Sequence, residues 1–396
     1  MRPKYNKPFN NEFVEKVTKL QYMFGLPYVW VDDKKPKYFQ HFNKIFTFLA
    51  ISFVISDYVS FFTQNHLTEK QTTDRTLFTL SHTILILYCF VFEYYKEDIK
   101  KLYIVAVSLK THHNDLAIEK KMIRKAKMYL ASFGSILCYA LTSYAVDGTM
   151  QVLKENSTFT PVITAWPDVT EKGFWPDVFR VIAYFVLWIF MLKVYAVHVF
   201  VFSITVILSH QYTNLQSYFY SLGDIFKKAC CEEEKVKEYE KSLKLGLWMH
   251  AETLWYCFYI LLTKPPVILV VKYESLIRDV SNSTSVMNAL SNVSSGLAVL
   301  LSNGFFMCNA GDITTEAASL PFAIFASGWH HCSGSSSARI RKLIMLALAQ
   351  SQVRGGSLVI NGYTNILLPF FNKNLLDTHT HFCAKLISDT GRHIDF

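Results

Sequence analysis

Charged residues are scarce in this chain, and their scarcity argues against most soluble architectures. Only 18% of the 396 residues are charged and 51% are hydrophobic, whereas soluble proteins carry about 25% charge. The apolar residues also form stretches of roughly 20, which as helices cross about 30 Å of hydrocarbon. The composition therefore predicts an all-α, polytopic membrane protein and disfavours a large soluble helical protein.

Motifs for catalysis, cofactor binding and metal ligation are also missing. The sequence has no phosphate-binding glycine loop, no paired CxxC and no nucleophile elbow. His330, His331 and Cys332 are adjacent, so they cannot easily converge on one tetrahedral ion. We therefore expect no enzyme, no cofactor and no metal site. The net charge of +9 lies mainly in loops expected to face anionic lipid, and does not indicate nucleic acid.

Seven stretches are apolar and long enough to be membrane spans. They are residues 42–62, 76–95, 128–146, 178–208, 245–271, 285–308 and 340–387. The last stretch is too long for one span and is interrupted by Arg354-Gly355-Gly356, where paired glycines weaken a helix. We divide it into a cytosolic half, 337–351, and a spanning half, 358–387.

Loop charges predict the orientation of the spans. Segments 1–41, 96–127 and 209–244 hold 23 Lys and Arg residues together, against six in the three alternate loops. Because positive loops stay in the cytosol, the N-terminus is expected inside and, after seven spans, the C-terminus outside. Segment 1–37 lacks the apolar core of a signal peptide. The whole chain, 1–396, then forms one membrane domain.

Two sequons and the helix order refine this topology. Asn156 and Asn282 begin sequons in loops that the charges place outside, so both are candidate glycosylation sites. A G-protein-coupled receptor also has seven helices but starts outside, so that class is disfavoured. A secondary transporter would show similar inverted halves, and the sequence shows none.

Polar residues inside the last spans suggest a functional path. Lys264 precedes two prolines in the fifth span, where the helix must kink or break. In the final span, Lys373, Asp377 and His381 share one face at four-residue spacing. A helix with one polar face most simply lines water, as a pore helix does.

The last quarter of the chain resembles the insect odorant receptors. The segment from Cys308-Asn309-Ala310-Gly311-Asp312 through Gly328-Trp329 is similar to the block that closes their sixth helix. Phe371, Leu375, Thr380 and Phe382 have the spacing of the landmarks in their last helix, and Gly25-Leu26-Pro27 resembles a short motif before their first. Phe325 stands where tyrosine is usual, and Val353-Arg354 replaces the usual proline, so a divergent tuning receptor is indicated.

The resemblance implies an odorant-gated, non-selective cation channel. Such receptors assemble as heterotetramers in which a tuning subunit pairs with a shared co-receptor, Orco, in the plasma membrane of olfactory neuron dendrites. The short segment 209–244 suits the tuning subunit, because the co-receptor carries a long insertion there. Residues 309–351 would then form the cytosolic anchor and 358–387 the pore helix. A gustatory receptor of the same superfamily is the alternative.

The resemblance also implies where a small volatile, hydrophobic ligand and the ions would pass. The family places its pocket in the outer half of the bundle, among helices two, three, four and six. The candidate ligand-binding residues there are Leu85, Tyr88, Ser132, Ser135, Tyr139, Trp188 and Met191. The candidate pore residues are Asp377, Thr380, Ala384 and Ser388.

Overall fold

The computed structural model describes residues 12–29, 37–229, 231–262, 286–333 and 336–355. These residues form nine α-helices. They are α1 Glu12–Met23, α2 Lys37–Thr63, α3 Glu69–Tyr94, α4 Lys96–His112, α5 Leu116–Glu155, α6 Phe174–Leu222, α7 Glu232–Leu262, α8 Val286–Phe325 and α9 Ser337–Gly355. The prediction of an all-α fold is confirmed.

Four of these helices are long and apolar enough to cross a membrane. The qualifying segments are Gln40–Thr63, Gln71–Tyr94, Leu116–Lys154 and Phe174–Lys227, and they contain the first four predicted spans except for the last residue of the second span. The fifth and sixth predicted spans are only partly described, and the spanning half at 358–387 lies outside the described residues. Lys264 and its two prolines lie outside them too.

The helices extend well beyond the predicted spans. The 49 residues of α6 make a rod about 74 Å long, more than twice the thickness of the hydrocarbon layer. The α8 helix likewise continues past the predicted end at Cys308 to Phe325, with Pro321 inside it. Hydropathy finds only the apolar part of a helix, whereas packing between the polar extensions keeps the rest helical.

Two described helices, α1 and α4, were not predicted. Both are amphipathic, so a search for long apolar stretches did not find them. In α4, the buried side chains Ile99, Leu102, Tyr103, Ala106 and Val107 follow the three-then-four spacing of a single helix face. The α1 helix buries a similar stripe against α2 and α6. Segments 1–41 and 96–127 are therefore partly packed helix and not only charged loops.

Side-chain caps fix where two of the long helices begin. Thr68 and Gln71 form a reciprocal capping box at the start of α3. Asp115 accepts hydrogen bonds from the backbone N–H groups of Ala117 and Ile118 at the start of α5. These bonds hold the pKa of Asp115 below its usual value. Each cap satisfies backbone donors that a helix start otherwise leaves open.

The long loop between α5 and α6, residues 156–173, is tied to the end of α2. The Gln64 side chain donates to the carbonyls of Thr164 and Pro167, at 2.9 and 2.8 Å, and accepts from the Val169 N–H at 3.0 Å. Arg180 is 3% exposed and donates to two more loop carbonyls. We call this end of the bundle the loop end.

The opposite end is held by hydrogen bonds between elements far apart in sequence. Asn214 of α6 donates to the His113 carbonyl at 2.7 Å and accepts from the Asp115 N–H at 2.9 Å. The hydroxyls of Tyr239 and Ser327 meet at 2.6 Å. We call this end, with α4, α9 and the start of α7, the anchor end.

Candidate functional site

The candidate ligand pocket is organised around α6, which contacts both α3 and α5. On the α5 side, the Tyr184 hydroxyl donates to the Leu141 carbonyl at 2.9 Å. On the α3 side, the rings of Phe92 and Phe200 lie 4.8 Å apart, centre to centre. The helices α3 and α5 thus flank α6, and we call the space between them, with α6 as its floor, the α3–α5 groove.

Four of the seven predicted ligand-binding residues lie on α3 and α6, the helices that border this groove. Leu85 is buried in the apolar core, and Tyr88, Trp188 and Met191 are partly buried and packed against it. That these four side chains contact a ligand stays a prediction. Tyr88, Trp188 and Met191 are only partly buried and leave some apolar surface accessible.

The predicted ligand-binding residues of α5 differ in how deeply they are buried. Ser132 is partly buried, whereas Ser135 and Tyr139 are exposed, with 49% of Tyr139 accessible. Phe133, next to Ser132, instead faces α6, where its ring stacks on His198 with centres 4.3 Å apart. The spacing identified one face of α5, but the face that packs against α6 is the neighbouring one.

Sequence reasoning missed a buried polar pair at the loop end of the groove. Asp57 of α2 and His82 of α3 are 2% and 1% exposed, and Asp57 Oδ2 lies 2.7 Å from His82 Nδ1. The His82 ring is one turn before Leu85 and meets the Phe190 ring of α6 at 4.3 Å. The signal was present in the sequence, since ionisable residues inside apolar spans are rare and usually functional.

A second missed residue is Lys193, which is 1% exposed in the middle of α6. Its Nζ donates to Thr47 Oγ1 at 3.1 Å. A side chain at Gly25 would place its Cβ 3.1 Å from the same Nζ, and Gly25 has φ +92°. The Gly25-Leu26-Pro27 motif therefore keeps glycine for two reasons, backbone conformation and the close approach of Lys193.

The remaining predicted sites divide between described and undescribed residues. Asn156 is exposed at the end of α5, and its carbonyl accepts from Lys172 Nζ at 2.6 Å. Thr158, the third sequon residue, is buried and donates to the Val169 carbonyl. Asn282 and the candidate pore residues lie outside the described residues; the latter are Asp377, Thr380, Ala384 and Ser388.

Known structures contain the same arrangement of helices. The insect olfactory receptor OR5 from Machilis hrabei, solved in complex with eugenol, matches with a TM-score of 0.61 and 9% sequence identity, over 90% of this chain and 98% of that one. This chain has the insect olfactory receptor fold. A second structure of the same receptor matches with a TM-score of 0.61 and 10% identity, over 86% of this chain and 89% of that one.

The likeness lies in the fold and not in the overall sequence. No protein-family model matches the chain, and no curated protein matches it. At 9–10% identity, the olfactory receptor fold establishes how the helices are arranged. The expected resemblance to the odorant receptor fold is confirmed, and with its apolar helices the chain is a multi-pass membrane protein.

Proposed function

We propose that this chain is an odorant-specific subunit of a ligand-gated, non-selective cation channel. The main support is that 90% of this chain matches an olfactory receptor whose structure was solved with the small aromatic ligand eugenol. The partly buried apolar residues of the α3–α5 groove support the same role, because such surfaces suit small hydrophobic molecules. Leu85, Tyr88, Trp188 and Met191 would contact the ligand, together with Ser132.

Ser135 and Tyr139 would complete the pocket from the α5 side. Both are exposed in the single chain, so they would contact the ligand only at the outer rim of the groove. An apolar contact contributes roughly 25 cal/mol per Å² buried. The buried floor would therefore supply most of the affinity, and these two hydroxyls would orient the ligand.

The assembly follows from the same proposal. The chain would pair with the co-receptor, Orco, in a heterotetramer in the plasma membrane of olfactory neuron dendrites, with the N-terminus cytosolic. Residues 358–387 would line the pore, with Asp377 attracting cations and Thr380, Ala384 and Ser388 nearer the constriction. Asn156 and Asn282 would be external and glycosylated.

The test is electrical recording from cells that express this chain, the co-receptor, or both. A panel of volatiles that includes eugenol should evoke currents in cells with both subunits, beyond those of the co-receptor alone. Guanine-nucleotide analogues should leave these currents unchanged, because no G protein takes part. Equal responses with and without this chain, at confirmed surface expression of the pair, would contradict the proposal.

A further inference from the structure

The Asp57–His82 pair is enclosed by aromatic rings. The His82 ring lies 5.3 Å from Phe53, 4.3 Å from Phe190, and 5.6 Å from Phe78, on which it stacks almost parallel. Phe78 also contacts the Tyr144 ring of α5 at 5.9 Å. The pair therefore stands where α2, α3 and α6 meet, and one ring separates it from α5.

The second nitrogen of His82 is buried without a partner. His82 Nε2 makes no hydrogen bond to any described residue, although Nδ1 is bonded to Asp57. Arg75, two turns earlier in α3, is directed to the carbonyls of Ser60 and Gln64. The only charge-bearing partner of Asp57 among the described residues is thus His82.

The net charge of the Asp57–His82 pair determines whether His82 Nε2 donates or accepts a hydrogen bond. A net charge enclosed among aromatic rings is costly, so the pair is favoured as an ion pair or as two neutral groups. In the ion pair, both ring nitrogens carry hydrogen. In the neutral pair, the Asp57 carboxyl donates to Nδ1, so the ring hydrogen is again on Nε2. Either way, Nε2 is a donor, and a buried donor without an acceptor is unfavourable.

We propose that His82 Nε2 donates a hydrogen bond to an acceptor oxygen on the ligand, and that the site therefore selects carbonyl-bearing or ether-bearing apolar molecules over hydrocarbons of the same shape. The proposal rests on the ligand-binding role proposed above. His82 lies one turn from Leu85, at the loop end of the groove. Phe78 is only partly buried, and the proposal requires its ring to turn aside so that a ligand in the groove reaches Nε2.

The buried Nε2–H group favours ligands that carry an acceptor oxygen. A ligand oxygen satisfies the buried N–H, whereas a hydrocarbon of equal size leaves it unpaired, and sites with polar groups reject analogues that cannot pair with them. A carboxylate is disfavoured as well, because it would bring a net negative charge beside Asp57. The expected class is aldehydes, ketones, esters and ethers, with one oxygen on an otherwise apolar body.

The test uses acetophenone and α-methylstyrene, which differ only by an oxygen in place of a methylene group. The full-length chain in lipid nanodiscs should bind acetophenone about ten-fold more tightly. The carbonyl stretch of the bound ketone should move to lower frequency than in an apolar solvent. His82→Phe should remove both the preference and the shift, whereas His82→Gln, which keeps an N–H donor, should retain part of each.

The outcomes separate this proposal from the channel role. If acetophenone binds with a lowered carbonyl stretch but no volatile of the panel evokes current in the co-expressed pair, the His82 site is supported and the channel role is contradicted. Equal affinity for the two ligands, or an unshifted carbonyl, overturns the His82 site even if both evoke current. Binding of neither compound also overturns it. The wild-type measurements stand if a variant fails to fold.

Discussion

The α3–α5 groove and the anchor end of this bundle differ in the contacts that cover their side chains. At the anchor end, side chains from distant elements satisfy one another, as Asn214 does with the turn at His113 and Asp115. In the α3–α5 groove, apolar side chains such as Tyr88 and Trp188 are only partly covered, and His82 Nε2 has no partner among the described residues. The contrast supports the proposal that the groove accepts a ligand while the anchor end joins distant elements.

The anchor end also carries charge-assisted contacts that join two helices. Arg339 of α9 donates to Glu240 of α7 at 2.5 Å, and Lys244 lies 3.1 Å from the same carboxylate. Burial works to raise the pKa of Glu240, but the hydrogen bonds and charges of Arg339 and Lys244 outweigh it and hold the pKa below its usual value. This carboxylate therefore stays ionised and fastens α9 to α7.

The strongest test of tight packing at the anchor end is Gly246→Leu. A Cβ at Gly246 would lie 2.9 Å from ring atoms of both Tyr218 and Phe219, whereas one at Gly311 meets nothing within 4 Å. Overpacking typically costs about 1–3 kcal/mol, and a leucine exceeds a bare Cβ, so a fall in melting temperature or lost expression is expected. The control, Gly311→Ala in α8, should be neutral or slightly stabilising. Equal melting temperatures would show that the anchor end is not tightly packed.

A converse test removes apolar surface from the groove. Trp188→Ala should change the ranking of ligands by current amplitude while surface expression stays near normal, because the indole is only partly buried and is proposed to contact the ligand. Losing a large apolar contact weakens binding by about 1–3 kcal/mol for ligands that touch it. Tyr139→Ala should have a smaller effect of the same kind, since Tyr139 is at the rim. A uniform drop for every ligand would place these side chains outside the site.

Accessibility of thiols gives a third comparison, within the anchor end itself. Cys231 is exposed, whereas Cys332 is buried, and burial together with the Glu240 charge raises the pKa of Cys332 to about 11. At pH 8 about one Cys332 thiol in a thousand is ionised, and the thiolate is the reactive form. Maleimide should modify Cys231 quickly and Cys332 slowly, as followed by mass spectrometry. Similar modification rates would mean that the packing around Cys332 leaves its thiol accessible to maleimide.

The smallest expected effect is the pH dependence of the Glu240 contact. Because the folded-state pKa of Glu240 is lowered, its stabilising effect is present above the unfolded value near 4.5 and is lost as pH falls below it. Glu240→Gln should therefore lower stability by about 1 kcal/mol at pH 7 and by less near pH 4. Thermal denaturation of both proteins at the two pH values measures this. A constant difference would exclude the ion pair as its cause.

Hydropathy predicted much of the fold. The parts that it failed to predict have a common physical cause. Apolar runs marked the membrane portions of α2, α3, α5 and α6, but helix ends held by tertiary contacts gave no hydropathy signal. The α4 stripe was readable from its periodicity, because Ile99 through Val107 follow one face. The lysine-rich segment that contains α4 was nevertheless predicted, from its charge alone, to be a cytosolic loop.

The candidate site was only partly predictable for a related reason. Spacing placed Leu85 and Tyr88 on one face of α3, but which face of α5 meets α6 depends on packing that a single helix does not encode. Asp57 and His82 are 25 residues apart, so only the meeting of α2 and α3 makes them a pair. Each alone signalled a functional position by being ionisable within an apolar span.

Photo-crosslinking of a volatile ligand tests the central claim most directly, that the α3–α5 groove is the binding site. An acetophenone analogue that carries a diazirine would be bound to the full-length protein and irradiated, and the labelled residues would be located by mass spectrometry. We expect adducts on α3, α5 and α6 near Leu85, Ser132 and Trp188, and their loss in the presence of excess acetophenone. Competed adducts found only at the anchor end, near Tyr239 or Arg339, would contradict it.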